Sequence, residues 1–166
     1  MQKATFPYQL LLETFPETVT WHTAKEGDSW FWVEAKDIDA VCAFLKTNEA
    51  TRMDMLSSIS GVDYGAEADK MEVVYHLYSI LKAHSLVLKV ALPRNTVEAT
   101  LPELPTVSPV WKTANWHERE IFDLFGISFT NHPDLRRILL PADWEGHPMR
   151  KDYQEQETYH QIKVKF

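Results

Sequence analysis

The sequence predicts an α+β fold: a single domain on a small mixed or antiparallel sheet of about four or five strands, covered by two or three helices, with an extended irregular C-terminal segment. Three observations predict it. Runs of strand length rich in Val, Leu and Tyr accompany two stretches whose apolar residues recur at helical spacing. At 166 residues, with 45% hydrophobic and 25% charged side chains, the chain has the size and composition of one globular domain with a substantial core. Beyond residue 130 the periodicity fades, and prolines, arginines and aromatics crowd together instead.

Pro7 to Phe15 predicts a short amphipathic helix, stopped by Pro16 because proline cannot continue a helix. Val19–Thr23 and Ser29–Glu34 predict a hairpin, since the intervening Lys25 to Asp28 has turn chemistry. From Asp37, an N-cap candidate, the stripe Ile38, Val41, Cys42 and Leu45 predicts a helix to about Ala50. Cys42 lies on that stripe and reads as a core residue rather than a reactive thiol. Arg52 to Tyr64 reads as extended and irregular, punctuated by Gly61 and Gly65. Met71–Leu81 and Ser85–Leu92 read as strands apolar enough to be covered on both faces, the cover coming from helices. Pro93, Pro102, Pro105 and Pro109 make residues 93–109 mostly a loop. A helix from about Val110 to Phe125 follows and ends at Gly126, where a left-handed glycine cap is expected.

Composition excludes several classes. The single cysteine, Cys42, leaves no intramolecular disulfide, all-thiolate zinc site or four-cysteine iron–sulfur cage within the chain. A net charge of −7 argues against nucleic-acid binding by a general positive field. That charge is unevenly placed: residues 1–130 hold 11 basic against 18 acidic side chains, and residues 131–166 hold 6 of each. The chain therefore divides into an acidic α+β part, 1–130, and a neutral extended part, 131–166. No apolar run reaches the length of a membrane span, and Met1 to Leu12 lacks the features of a signal peptide, so a soluble, cytoplasmic chain is expected.

The helix before Gly126 carries an unusual feature. On a helical wheel Glu118 falls at the centre of the face formed by Trp111, Ala114, Ile121, Phe122 and Phe125. A buried carboxylate is costly unless it is paired, hydrogen-bonded or protonated. Arg136, Arg137 and Arg150 are the candidate partners in this chain; a pair across an interface with a neighbouring chain and an acid/base role are the alternatives. On the paired reading, Glu118→Gln is expected to destabilise the domain or its assembly. Arg119 and Asp123, four apart on the polar side, read as an exposed pair of little energetic weight. Trp116 falls among those polar residues, so the far side of the helix is expected to meet something apolar too. His117-Glu-Arg-Glu120 lacks the second histidine of a zinc-protease helix, and neither His132 nor His147 has ligand spacing around it.

Residues 131–153 combine three prolines and four basic side chains with Trp144, Met149 and Tyr153, a mixture suited to locked turns and interfaces. The segment either wraps its own domain through Ile138, Leu139, Leu140 and Trp144 or docks onto a neighbouring protein. Three runs within this part of the chain, Trp116–Ile127, His132–Pro141 and Asp143–Tyr153, together 33 residues, closely resemble the signature of the so-called 30-kDa subunit of respiratory complex I. The proline usual after the Asp-Tyr pair is replaced by Gln154, and the tail 154–166 carries no motif.

The resemblance implies a non-catalytic structural and assembly subunit of the peripheral arm of a proton-translocating NADH:quinone oxidoreductase. It implies neighbours that form the quinone site and carry clusters, with FMN and iron–sulfur clusters in those partner subunits and none in this chain. No nucleic-acid partner is expected. Membrane association is expected to be indirect and peripheral, on the cytoplasmic face of the inner membrane. Glu118, Arg119, Glu120, Asp123, His132, Arg136, Arg137, Trp144, Arg150, Lys151, Asp152 and Tyr153 match the motif as structural or interface positions, not catalytic ones. Ending at 166, the sequence is expected to be the form not fused to the quinone-site subunit. Two alternatives stand beside this: the equivalent subunit of a related membrane-bound hydrogenase or of a ferredoxin- or reduced-deazaflavin-dependent complex, and a free-standing acid/base enzyme using Glu118 or Glu120 with an arginine.

Overall fold

The computed structural model of the protein describes residues 8–94 and 100–163. Pro7, where the first predicted helix begins, and the last three residues of the tail lie outside this range. The elements are α1 (Tyr8–Thr14), β1 (Val19–His22), β2 (Trp30–Val33), α2 (Ile38–Thr47), β3 (Met55–Asp63), β4 (Lys70–Ser79), β5 (His84–Pro93), β6 (Glu103–Pro105), α3 (Ala114–Phe125), β7 (Ser128–Thr130), β8 (Thr158–Tyr159) and β9 (Ile162–Lys163).

β1 to β5 form one mixed sheet in the order β1-β2-β5-β4-β3, antiparallel throughout except for the parallel β2–β5 pair. The predicted hairpin, both central strands, the two long helices and the α+β class are all present. Asp37 stands at the N-cap of α2 without capping it; its carboxylate instead accepts the Thr18 hydroxyl at 3.2 Å. The region read as irregular between Arg52 and Tyr64 contains β3, an edge strand with a bulge between Leu56 and Ser58. Of the loop read over 93–109, residues 95–99 lie outside the described range, and the rest includes β6, which pairs in parallel with β7.

Alternation along β2, β4 and β5 puts Phe31, Val73, Tyr75, Leu77, Leu88 and Val90 on one face, where they join Leu11, Ile38, Val41, Cys42, Leu45 and Ile121 from the helices in one core. Cys42 is fully buried there. The opposite face is covered by side chains rather than by the predicted helices. Lys89 Nζ lies 3.9 Å from the Trp30 ring centroid, and Lys70 Nζ lies 4.7 Å from that of Trp32 and 5.1 Å from that of Tyr64. This layer of lysine stems and rings accounts for Val74 and Val87 being buried outside the main core.

α3 lies close to β3 because Gly61 has no side chain: a Cβ there would meet the Phe125 ring at 2.8 Å. From α3 the chain turns at Gly126, whose φ of +67° is the left-handed conformation the sequence predicts for a helix cap. Residues 131–153 then run back over α3 as a strap. The tail closes on the strap through Tyr159 and His160, which bond Asp143 at 2.9 and 2.7 Å.

Candidate functional site

Four charged residues of the signature, Glu118, Arg119, Asp123 and Arg137, gather where the strap crosses α3. Asp123 is fully buried and accepts four donors. Its Oδ2 takes the main-chain N–H groups of Ile138, Leu139 and Leu140 at 3.0, 2.8 and 2.9 Å, and its Oδ1 takes Arg137 Nη1 at 2.7 Å. Burial opposes ionisation, but the amides of 138–140 and the Arg137 guanidinium outweigh it and hold the carboxyl below its usual range. The Asp123 carbonyl accepts His147 Nδ1–H at 2.9 Å, which fixes the imidazole tautomer. His147 rests against Gly126, where a Cβ would lie 2.5 Å from the ring. Residues 137–140 of the strap are thus pinned to one carboxylate, and His147 to the turn after it.

Arg119 lies beside this nest and donates to the carbonyls of Arg136 and Arg137 at 3.1 and 3.2 Å. The exposed Arg119–Asp123 pair expected from sequence is therefore not formed. Both residues are buried under the strap, one donating to its carbonyls and the other accepting its amides, because the strap covers the flank of α3 that a wheel assigns to solvent.

A second anchor holds the far end of the strap. Arg94, only 1% exposed, donates from Nε and Nη2 to Asp63 at 2.8 and 3.2 Å and from Nη2 to Asp152. Asp63 also accepts the amides of Gly65 at 3.0 Å and Lys151 at 2.8 Å. Burial works against the Asp63 carboxylate, yet the Arg94 and amide bonds prevail and bring it down to about 2. Arg150 Nη2 donates to the Arg94 carbonyl at 3.0 Å. Residues 150–152 are thereby tied to the ends of β3 and β5.

Glu118, fully buried, follows another logic. None of Arg136, Arg137 and Arg150 pairs with it, contrary to the expectation of an arginine partner: Arg136 is exposed beside Asp134, and the other two serve the anchors just described. Its Oε1 accepts the Val107 amide at 2.7 Å, and its Oε2 meets the Thr106 hydroxyl. Desolvation dominates over these two bonds and raises the carboxyl to about 7. His132 Nε2 stands 3.7 Å from Glu118, but this imidazole is neutral. Its Nδ1 accepts the Asp134 amide at 3.0 Å while Nε2–H donates to the Asn115 carbonyl at 3.2 Å. Burial pushes the His132 pKa down as well. Thr106 Oγ1 is in turn 2.8 Å from Ser108 Oγ, so either proton arrangement along Glu118–Thr106–Ser108 can be satisfied.

The remaining signature residues sit further out. Glu120 and the Lys151 side chain are exposed, Trp144 lies 5.3 Å from the Tyr159 ring, and Tyr153 packs over Gly146. Trp116 is 62% exposed. Sequence reasoning missed Asp63, Arg94, Thr106 and Val107, which no local pattern marks. Among the described residues no three His, Cys, Asp or Glu side chains gather as a metal site, and no helix is long and apolar enough to cross a membrane.

The site is thus a mixed-sheet domain whose buried charges fasten its own strap. The chain superposes with a TM-score of 0.72 and 25% identity on a chain of the membrane-bound sulfane sulfur reductase, an archaeal respiratory membrane complex, covering 89% of this chain and 83% of that one. The model of the respiratory-chain NADH dehydrogenase 30 Kd subunit family matches residues 31–159, and the protein belongs to that family. It is 39% identical over 170 residues to the NADH-quinone oxidoreductase subunit of this type from Chlorobium phaeobacteroides, covering 100% of this chain and 98% of the relative. Against the corresponding NADH-quinone oxidoreductase subunit of Chloroherpeton thalassium it is 40% identical over 161 residues, and there it spans 64% of the relative's length.

Proposed function

We propose that the protein is a non-catalytic structural and assembly subunit of the peripheral arm of NADH:quinone oxidoreductase, in which electrons pass from NADH through FMN and iron–sulfur clusters to quinone and protons are translocated. The end-to-end match to the Chlorobium phaeobacteroides NADH-quinone oxidoreductase protein carries this reading. The geometry supports it, because the buried signature charges fasten the strap. Glu118, one of the two acids an acid/base enzyme could use, is sealed from solvent with both oxygens occupied. In this reading the flavin and clusters belong to partner subunits, the strap faces the quinone-site and cluster-bearing neighbours, and membrane association is peripheral on the cytoplasmic face. The likeness to a sulfane sulfur reductase chain favours one second reading, the same structural role in a related complex with another electron donor.

An affinity tag on this chain tests the proposal. The expected result is recovery of a multi-subunit complex that oxidises NADH and reduces quinone, while the chain alone contains no flavin or iron and turns over neither substrate. Recovery of a complex that ignores NADH selects the second reading. Turnover by the isolated chain overturns both.

A further inference from the structure

We infer that a groove at the start of the strap receives an extended, proline-bearing segment of a neighbouring subunit, with Trp116 meeting its proline and Lys112 a carboxylate beside it; this rests on the subunit reading above. The groove, about 430 Å³, has an apolar part made by Pro109, Trp116 and Pro133 and a polar part made by Lys112, Asn115 and Asn131. The strap covers Arg119 and Asp123 on the polar flank of α3 but leaves Trp116 62% exposed, so the ring finds little apolar cover within this chain. It is nonetheless held in place. Arg119 Cζ stands 5.6 Å from the ring centroid while the same guanidinium bonds the carbonyls of Arg136 and Arg137.

The chemistry of the lining identifies the occupant. The Lys112 ammonium, the Trp116 indole N–H and the Asn115 and Asn131 carboxamides make no hydrogen bond or ion pair among the described residues, and together they offer mostly donors. A polyproline-type segment suits them, because its carbonyls are free of internal hydrogen bonds and its prolines bring no N–H. Grooves that recognise such segments are lined by aromatic rings, as this one is by Trp116. A helix keeps its carbonyls for itself, and no lining residue belongs to a strand to which another strand could add. Charge selects the side chain beside the proline. Among the described residues no acid lines the groove, although the chain carries a net charge of −7. Asp134, the residue after Pro133, is held by Arg136 at 3.0 Å. Lys112 directly precedes Thr113, the N-cap of α3, at the end of a helix that favours acids over cations. Its charge does nothing for the helix and is left for a carboxylate of the partner.

Carbodiimide treatment of the affinity-purified complex is expected to join Lys112 to an Asp or Glu of another subunit that lies within about four residues of a proline, a span of about 12 Å in the polyproline conformation. Hydroxyl-radical footprinting should find Trp116 oxidised in the isolated full-length chain and protected in the complex. Lys112→Glu alters an exposed side chain with no partner among the described residues, so it should leave Tm of the isolated chain unchanged. In the complex it should weaken retention of this protein at least about tenfold, while Lys112→Arg keeps it. Coupling of Lys112 only to acids of this chain or of a second copy of it, coupling to an acid with no proline near it, equal oxidation of Trp116 in chain and complex, or normal retention of Lys112→Glu overturns the inference. Failure of the tagged chain to recover any complex overturns the subunit reading instead, which keeps the two failures distinguishable.

Discussion

Asp123 and Glu118 stand five residues apart on α3, both fully buried, and end in opposite protonation regimes. Asp123 receives three amides and a guanidinium and is held below its ordinary range; Glu118 receives one amide and one hydroxyl and is raised to about 7. The difference lies in what packs over each. The strap directs three consecutive backbone N–H groups at Asp123, and the loop after β6 offers Glu118 only one amide and one hydroxyl. Burial alone does not set the charge of a carboxyl. The number and charge of the donors that arrive with the covering segment decide it.

The largest effect is expected from breaking the charged half of this comparison. Asp123→Ala leaves three strap amides without an acceptor and the Arg137 guanidinium with only the carbonyls of residues 123 and 146, and should cost about 3–5 kcal/mol, the range for removing one partner of a buried pair. Thermal unfolding together with faster proteolysis within 138–153 would show it.

The neutral half is sharpened by Glu118→Gln. Because the folded carboxyl titrates near 7 against an ordinary 4.5, the folded state holds its proton where the unfolded state has lost it. Stability then falls as pH rises from about 4.5 to 7, by about 3 kcal/mol in all. Gln mimics the protonated acid, so the variant should match the parent near pH 4.5 and exceed it above pH 7 in denaturant melts. This reverses the destabilisation expected if an arginine were the partner.

Asp63 gives a second example of the ionised class with the opposite sign. Lowered from 3.8 to about 2, it contributes about 2 kcal/mol that is fully present above pH 4 and lost as pH falls through 2. In Asp63→Asn that acid limb should flatten. Glu120, exposed on the same helix as Asp123, supplies the control, and Glu120→Ala should leave Tm unchanged.

Sequence patterns are legible here where they are local and silent where the partner is remote. The wheel places Glu118 inward correctly, because its neighbours Ala114 and Ile121 define the core face. It places Arg119 and Asp123 in solvent because a wheel has no knowledge of a strap arriving from residues 136–140; Trp116 among them points to an interface, but not to the flank that is covered. β3 escapes because the bulge after Leu56 breaks the alternation and sets buried Leu56 and Ile59 three apart instead of two or four. The Asp63–Arg94 anchor joins residues at the ends of two strands, with no spacing to signal it. Arginines are the obvious partners for a buried Glu118, yet the segment that covers it supplies neutral donors.

If the signature charges of this chain hold a structure and take no part in chemistry, removing them should change how much complex forms and not how fast it works. NADH:quinone turnover per assembled complex, measured for Glu118→Gln and Asp123→Asn in the tagged complex, tests this most directly. The expected result is less assembled complex for Asp123→Asn, a normal amount for Glu118→Gln, and unchanged turnover per complex for both. A normal amount of complex with turnover lost in either variant would contradict it.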